Sequence, residues 1–399
     1  VNDYTVRTIR PDETRAAGDL FRSTLHLGPV KDDEWPYAER MHQPQRGIGA
    51  FDGELIGTVR SFDTELTVPG GTRLPFAAVT GVGVRPDRTR RGVLRAMMRA
   101  QLDDFTTRGV PLAGLYASEA VIYGRFGYGA ATVTRDFEID RRRAALRPEV
   151  PAGGEVSLLS ADKAVERLPE LYANLLGDRP GRMTRSPHWW PGFERALRRA
   201  EAPVTTVVHH GPGGADGFAQ YTVDRHHWSQ PSEMDVWHLE AANDDAYAGL
   251  WRYLLGVDLV DRIKVPGRPL DEPVELLLTN PRACDTVSVD DGLWLRLVDV
   301  PAALAAREYD GEPVVLEVTD PFLPANSGCY RVCPDGVSRT DVPGELRLTV
   351  DALAMLYLGA WRASALATAG RIQPAEPKAL ARADRLFATT VAAWCGTHF

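Results

Sequence analysis

No apolar run in the 399 residues approaches the roughly 18 needed for a membrane-spanning helix, so none is expected. Cysteine is scarce. Cys284, Cys329, Cys333 and Cys395 all fall in the last third and show neither metal-site spacing nor a disulfide framework. Cys329 and Cys333 are close enough to face each other across a hairpin. A basic excess is missing too: 46 Lys and Arg stand against 54 Asp and Glu, a net charge of −8. A general nucleic-acid binder would carry a basic surface, whereas this balance suits a cleft that attracts ammonium groups. The opening residues Val1-Asn2-Asp3-Tyr4 lack the basic and apolar blocks of a secretory leader. With reduced thiols, a cytoplasmic location is expected. Neither a Walker loop nor a G-x-G-x-x-G fingerprint occurs, and no fixed-period repeat is seen.

What is present is the composition of a globular protein, 44% hydrophobic and 25% charged, long enough for two or three domains. The first segment reads as alternating strands and helices. Tyr4–Ile9 alternates, Pro11-Asp12 opens a helix to about Leu25, and Asp52-Gly53 marks a hairpin between two strands. An apolar strand over Ala77–Val84 precedes the clearest helix, whose Leu94, Met97, Met98, Leu102 and Phe105 form a buried stripe. Ala113–Tyr116 reads as a strand, Ala120–Phe126 as a helix and Ala131–Ile139 as the closing strand. Arg141–Val156, with two prolines and two glycines, reads as a linker. The middle segment repeats the mixed pattern: helix Lys163–Leu176, strands Thr205–His209, Gly217–Val223 and Asp235–Glu240, and helix Ala246–Leu255 capped by Asn243-Asp244. Leu276–Thr279 reads as its last strand. From Cys284 the texture changes again, with strands at Leu293–Leu297, Val314–Val318, Gly328–Cys333 and Glu345–Val350. Helices are expected at Val300–Arg307, Asp351–Leu358 and Leu380–Ala393.

Chemistry concentrates in Val79–Arg95. An apolar strand runs into a basic, glycine-containing turn and straight into a helix. Free backbone N–H groups and the positive end of the helix dipole converge there, and Arg90, Arg91 or Arg95 can add charge-assisted hydrogen bonds. A diphosphate suits the loop; a solvated basic turn is the plainer alternative. About 30 residues further on comes Ser118-Glu119-Ala120-Val121-Ile122-Tyr123-Gly124-Arg125-Phe126-Gly127-Tyr128. Here the plainer alternative for Tyr123 is core packing.

These two stretches resemble the GNAT superfamily of N-acetyltransferases, in which [Q/R]-x-x-G-x-[G/A] opens the long helix and a tyrosine near the thioester protonates the departing thiolate. Thr89 and Leu94 depart from that pattern. More narrowly, Ser118–Gly129, Leu250–Ile263, Leu353–Gly359, Ala383–Phe387, Trp394-Cys395 and Phe399 together resemble the Enhanced intracellular survival (Eis) family of bacterial acetyltransferases. The resemblance implies an α/β (α+β) chain of three lobes. These are a GNAT lobe over 1–143, a degenerate GNAT-like lobe over 144–283 and a sterol-carrier-protein-like lobe over 284–399. It implies acetyl-CoA as co-substrate and no metal. The cofactor would be held by residues matching Val82, Gly83, Val84, Arg90, Arg91, Gly92, Val93, Leu94, Arg95, Ser118 and Glu119. The catalytic pair would match Tyr123 as acid and the C-terminal carboxylate of Phe399 as base. Implied acceptors are small amines, aminoglycosides or lysine-containing peptides, and the implied assembly is a homo-oligomer, often a hexamer. The penultimate His398 is a poorer neighbour for a polycation than an acid would be.

The chemistry is self-consistent. The amine must lose a proton before attack, and backbone N–H groups of the Val82–Val84 strand can hold the oxyanion. A tyrosine of reference pKa near ~10 matches a leaving thiol. A terminal carboxylate starts near ~3.5, and partial burial raises it. His209-His210 and His226-His227 point to alternate faces of strands, which disfavours a metal site. Trp189 and Trp190 are core or pocket aromatics, and Trp35, among Asp32, Asp33 and Glu34, either faces a substrate or sits in an exposed loop. A second class of function stays open: a lipid-carrier or protein-interaction module with a vestigial acetyltransferase lobe.

Overall fold

The computed structural model describes residues 3–224 and 231–399. Contacts divide them into two compact units: one runs to Thr132 and adds Asp178–Gly192 and Asp291–Phe399, and the other comprises Val133–Gly177 and Phe193–Asp290. His226-His227 lie outside the described residues.

The first unit is built on a seven-stranded sheet in the order Thr5–Thr8, Gly47–Asp52, Glu54–Thr67, Arg73–Val84, Leu112–Leu115, Trp294–Leu297, Gly129–Ala130. One central pair, Arg73–Val84 with Leu112–Leu115, is parallel. Parallel neighbours need a crossover, which the Val93–Thr107 helix supplies. Its buried stripe of Val93, Met97, Met98, Leu102 and Phe105 packs on Ile56, Val59, Ala77, Val79, Ala113 and Leu115. The alternate residues Phe76, Ala78 and Leu112 belong to a second apolar cluster on the other face, shared with the C-terminal lobe. The central strand is thus buried on both sides.

That C-terminal lobe has a five-stranded sheet ordered Gly336–Thr340, Gly328–Cys333, Val314–Thr319, Leu346–Thr349, Ile372–Pro374, with helices over Val300–Ala306, Val350–Tyr357, Ala363–Thr368 and Pro377–Leu386. It is joined to the first sheet by the inserted strand Trp294–Leu297 and by a buried ion pair. Arg296 donates to Asp320 at 2.7 Å, both side chains being fully inaccessible. Asp320 also accepts from Asn326 Nδ2 and from the backbone N–H groups of Phe322 and Leu323. The Gly127–Gly129 turn closes directly over this region. A Cβ at Gly129 would lie 2.1 Å from the Asp351 carbonyl oxygen, so only glycine fits.

The second unit has a seven-stranded sheet ordered Cys284–Asp291, Val133–Asp140, Arg262–Pro269, Glu233–Ala241, Gly214–Asp224, Thr205–Gly211, Glu155–Leu159. It too has one parallel central pair, Glu233–Ala241 with Arg262–Pro269, joined by the Asp244–Gly256 helix.

Several local expectations are corrected. The strand expected over Ala131–Ile139 is broken at Thr132: Gly129–Ala130 stays in the first sheet and Val133–Asp140 pairs in the second. Leu276–Thr279 is not a strand, because Val274–Leu277 forms a helical turn. The last helix stops at Leu386 rather than Ala393. There buried Arg307 donates to the carbonyls of Tyr357, Leu386 and Phe387, holding the ends of two helices at once. Cys329 and Cys333 share one strand, opposite Thr340 and Gly336, and both are free thiols.

Removing one partner of a fully buried pair strands the other charge. Asp320→Ala should lower stability by about 3–5 kcal/mol, read as an earlier midpoint in urea unfolding. Arg296→Met combined with Asp320→Leu should cost less than the single change. A single variant within about 1 kcal/mol of the parent, the size of an ordinary substitution, would show that the pair does not hold the lobes.

Candidate active site

The parallel pair at the centre of the first sheet is short. Phe76–Ala78 pairs with Leu112–Gly114, and beyond it the two strands part. From Val79 to Val84 the longer strand is bonded, among the described residues, only to Glu54–Thr67 on its other side. That ladder carries a bulge. Arg60 faces Thr80 and Thr58 faces Gly83, so Gly81 and Val82 together oppose Val59. Gly81 takes φ +64°, the left-handed conformation that such a bulge favours. The bulge turns the backbone of Val82–Val84 along an edge with no strand beside it among the described residues. Gly83 lies against Thr24 of the Thr14–Thr24 helix, where a Cβ would come within 2.9 Å of Oγ1.

The strand feeds the basic loop. Arg85 is engaged by Glu54 and Asp87, and Arg88 by Asp52 at 3.4 Å. Arg90, Arg91 and Arg95 are exposed and have no ion-pair partner among the described residues. Arg90 and Gly92 both take positive φ, +63° and +79°, and the helix then begins at Val93 with no side-chain cap. Unclaimed N–H groups and three unpaired guanidinium groups therefore surround one helix start, a ready anion cradle. The two departures from the superfamily pattern have local explanations. Leu94 packs against the apolar cluster under the helix. Thr89 donates its hydroxyl to Pro86 O at 3.1 Å, closing the turn.

Across the gap, the Leu112–Leu115 strand leads through Tyr116 to exposed Ser118 and Glu119, which precede the Ala120–Tyr123 helix. Tyr123 is 6% exposed and meets Tyr128 edge-on at 6.2 Å. Burial pushes its hydroxyl pKa above the ordinary tyrosine value. That hydroxyl has no protein partner among the described residues, yet it is not among the sealed unpartnered atoms, as the Tyr128 hydroxyl is. Tyr123 packs in the cluster on the helix face of the sheet, and the ring of Phe399 packs in the cluster on the opposite face. Phe399 meets Phe62 at 5.7 Å, Phe76 at 6.3 Å and Tyr116 at 5.3 Å, each edge-on. The last residues of the chain thus reach the strands that line the gap. Sequence reading missed what holds them, the segment Asp178–Gly192. Its Trp189 Nε1–H donates to the carbonyl of His398 at 2.7 Å. The tandem tryptophans were the signal, but a local pattern carries no information about a partner 209 residues away.

The second unit repeats the parted strands with different contents. Glu233–Asp235 pairs with Arg262–Lys264, and beyond that Arg268 reaches across to donate to Leu239 O at 2.9 Å. Buried Glu272 holds Arg268 at 2.9 Å and accepts from the Tyr247 hydroxyl. The following helix is capped by Asn243 and opens with Asp244 and Asp245. His209 is fully buried between Asp216 and the N–H of Gly154, and His210 meets Ser157, so each has a structural partner. Trp35 stands in the Trp35–Arg40 helix, 6.3 Å from the ring of His42.

Models of GNAT acetyltransferase domains match residues 5–131 and 181–297, and a sterol carrier protein domain matches residues 300–396. An uncharacterised N-acetyltransferase of Streptomyces coelicolor is 41% identical over 94% of this chain and 95% of its own length. N-acetyltransferase Eis of Mycobacterium tuberculosis strain H37Ra is 37% identical over 92% of both chains. The crystal structure of Eis1 from Mycobacterium abscessus, 40% identical, superposes with a TM-score of 0.92 over 99% of this chain and 100% of that one. Two GNAT domains and a sterol-carrier-like domain, arranged in mixed sheets with flanking helices, account for the whole architecture. GNAT acetyltransferases use acetyl-CoA. With this agreement in sequence along nearly its full length, the chain belongs to the Eis family of GNAT N-acetyltransferases.

Proposed function

We propose that this chain transfers the acetyl group of acetyl-CoA directly to a primary amine of a small polyamine, an aminoglycoside or a lysine-containing peptide, using the gap in its first sheet. The observation that carries the reading is one continuous stretch: an unpaired, bulged strand edge at Val82–Val84 leading into an uncapped helix start flanked by Arg90, Arg91 and Arg95. The helix start and arginines take the pyrophosphate. The N–H groups of the strand edge hold the pantetheine arm and the thioester oxygen as charge develops on it. Ser118 and Glu119 line the opposite wall.

In the reaction the amine nitrogen bonds to the thioester carbonyl carbon and the carbon–sulfur bond breaks. The departing thiolate takes the hydroxyl proton of Tyr123. In a chain that ends at Phe399, its α-carboxylate receives the ammonium proton, directly or through water. Acid and base act from opposite faces of the sheet, so the incoming and outgoing protons do not compete for one group. The raised pKa of Tyr123 keeps it protonated through neutral pH, and its donating form is lost only as pH climbs past the ordinary tyrosine value of ~10.

Replacing Arg90 and Arg91 together with alanine should weaken acetyl-CoA binding by about 10–100-fold, a figure discounted for the exposure of both side chains. Circular dichroism should be unchanged, and an unaltered dissociation constant in calorimetry would return the loop to a plain solvated turn. Titration should give one acetyl-CoA per chain, because Arg268 crosses the corresponding gap of the second unit and an acidic, capped helix start replaces the arginines. Two equivalent sites would refute this. Tyr123→Phe keeps the packed ring and removes only the proton. Turnover should fall about 10²–10⁴-fold with little change in either substrate's binding; a loss under about threefold would reduce Tyr123 to a core aromatic.

A further inference from the structure

We propose that Arg185 and Trp189 are positioning residues that fix the direction of the last peptide of the chain, and through it the carboxylate of Phe399. The inference rests on the reading of that carboxylate as the base. Beyond Leu386 the chain has no regular structure, yet Trp394, Cys395 and Thr397 are buried. A terminus of that kind normally frays. Here the Asp178–Gly192 segment holds it bond by bond. Arg179 donates to Ala392 O at 2.7 Å, and the N–H of Trp394 donates to Pro180 O at 2.8 Å. Arg185 donates through Nη2 to Gly396 O at 3.3 Å and through Nε to Thr397 Oγ1 at 3.2 Å. Tyr116 donates to Thr397 O at 3.0 Å, and Trp189 takes the final carbonyl, that of His398.

These contacts are preorganised. Arg185 is buried and stacks over Trp189 at 4.1 Å, while Trp190 Nε1–H donates to the Arg185 carbonyl at 3.0 Å. The segment is itself fixed to the sheet. Thr67 N–H donates to Arg182 O and Gly181 N–H to Thr67 O, both at 2.8 Å, and Thr184 exchanges backbone and hydroxyl bonds with Thr64 and Glu65. Trp394 and the Phe399 ring give the tail apolar anchors. The polar contacts to Gly396, Thr397 and His398 do something else. They set the carbonyl orientations of the three residues before Phe399, so that, with its ring packed, the carboxylate keeps little freedom beyond rotation about ψ. A misplacement of about 1 Å at a reacting group costs on the order of 10²-fold in rate, so removing the His398 contact should be felt in turnover before it is felt in folding.

The test is a four-cornered comparison of the parent, Trp189→Phe, a chain extended beyond Phe399 by three small residues, and the two changes combined. Acetyl-CoA affinity by calorimetry and the thermal midpoint serve as folding controls. Trp189→Phe should lower kcat about 10–100-fold with acetyl-CoA binding intact, the extension should lower it further, and the combination should be no worse than the extension alone. If the extension abolishes turnover while Trp189→Phe leaves it unchanged, the positioning role is wrong and the base stands. If the two losses multiply, Trp189 acts by another route and the inference is again overturned. Full activity in the extended chain removes the base and the inference with it. Should Trp189→Phe fail its folding controls, Arg185→Lys, which keeps the charge and loses the two-pronged contact, takes its place under the same outcomes.

Discussion

Arg296 and Asp320 face each other without any access to water, and much of the first unit is arranged around making that tolerable. Desolvating two charges costs several kcal/mol each, which attraction alone recovers only when the remaining hydrogen-bonding capacity is filled. Asp320 fills its share with Asn326 and the N–H groups of Phe322 and Leu323. Arg296 adds a bond to Leu297 O. Around the pair, Phe322 packs edge-on against Phe126 at 5.3 Å and lies under the Arg99 guanidinium at 3.9 Å. Arg99 is on the crossover helix, Phe126 and Gly127 are in the turn after Tyr123, and Phe322 is in the C-terminal lobe. The Arg296 Nε keeps no partner among the described residues, so the pair is only partly compensated. With Phe322 beside it, the pair ties together the helix that starts at the basic loop, the turn that carries the proposed acid, and the lobe that carries the proposed base. The sterol-carrier-like lobe is part of the core of the first unit.

The elements legible in the sequence were those whose stabilising partners lie nearby along the chain. Leu94, Met97, Met98, Leu102 and Phe105 announce a helix because a buried stripe has a period, and the strand before it is a plain apolar run. The basic loop between them was visible for the same reason. What was not legible depends on distant partners. Ala131–Ile139 looks like one strand, but Thr132 accepts from the Leu293 N–H at 2.7 Å and the chain changes sheets there. The last helix has an apolar pattern that continues past Leu386, and the guanidinium of Arg307, some 80 residues upstream, takes the carbonyls where it ends. The Gly81 bulge, which frees the strand edge, is a register shift between two strands and leaves no mark in either alone.

The two GNAT-like sheets share a frame and differ at the start of the crossover helix. Both have a short parallel pair, a crossover helix and parting strands. In the first, the helix start has no side-chain cap, follows two left-handed residues and lies beside three arginines with no ion-pair partner among the described residues. In the second, Asn243 claims the N–H of Ala246, two aspartates occupy the first turn, and Arg268 spends its guanidinium on Leu239 O and Glu272 inside the gap. One of the backbone N–H groups that would meet a phosphate, that of Ala246, is already claimed, and the charge around the helix start has the opposite sign.

The two faces of the gap in the first sheet also differ in what they offer the proposed acid and base. One face of the gap is covered by the crossover helix and the Tyr123–Tyr128 turn, an apolar environment that raises a tyrosine pKa and suits a proton donor. The other face is covered by the C-terminal lobe, where the strand residues Phe62, Phe76 and Ala78 are apolar and supply no proton acceptor. Those strand positions cannot be made acidic without burying an unpaired charge against the lobe. A main-chain carboxylate avoids the conflict. The phenyl ring of Phe399 satisfies the apolar surface among Phe62, Phe76 and Tyr116, while the proposed base, in a chain that ends there, would be carried on the backbone of the same residue. A side-chain acid offers no such division, because its charge sits at the tip that would have to be buried.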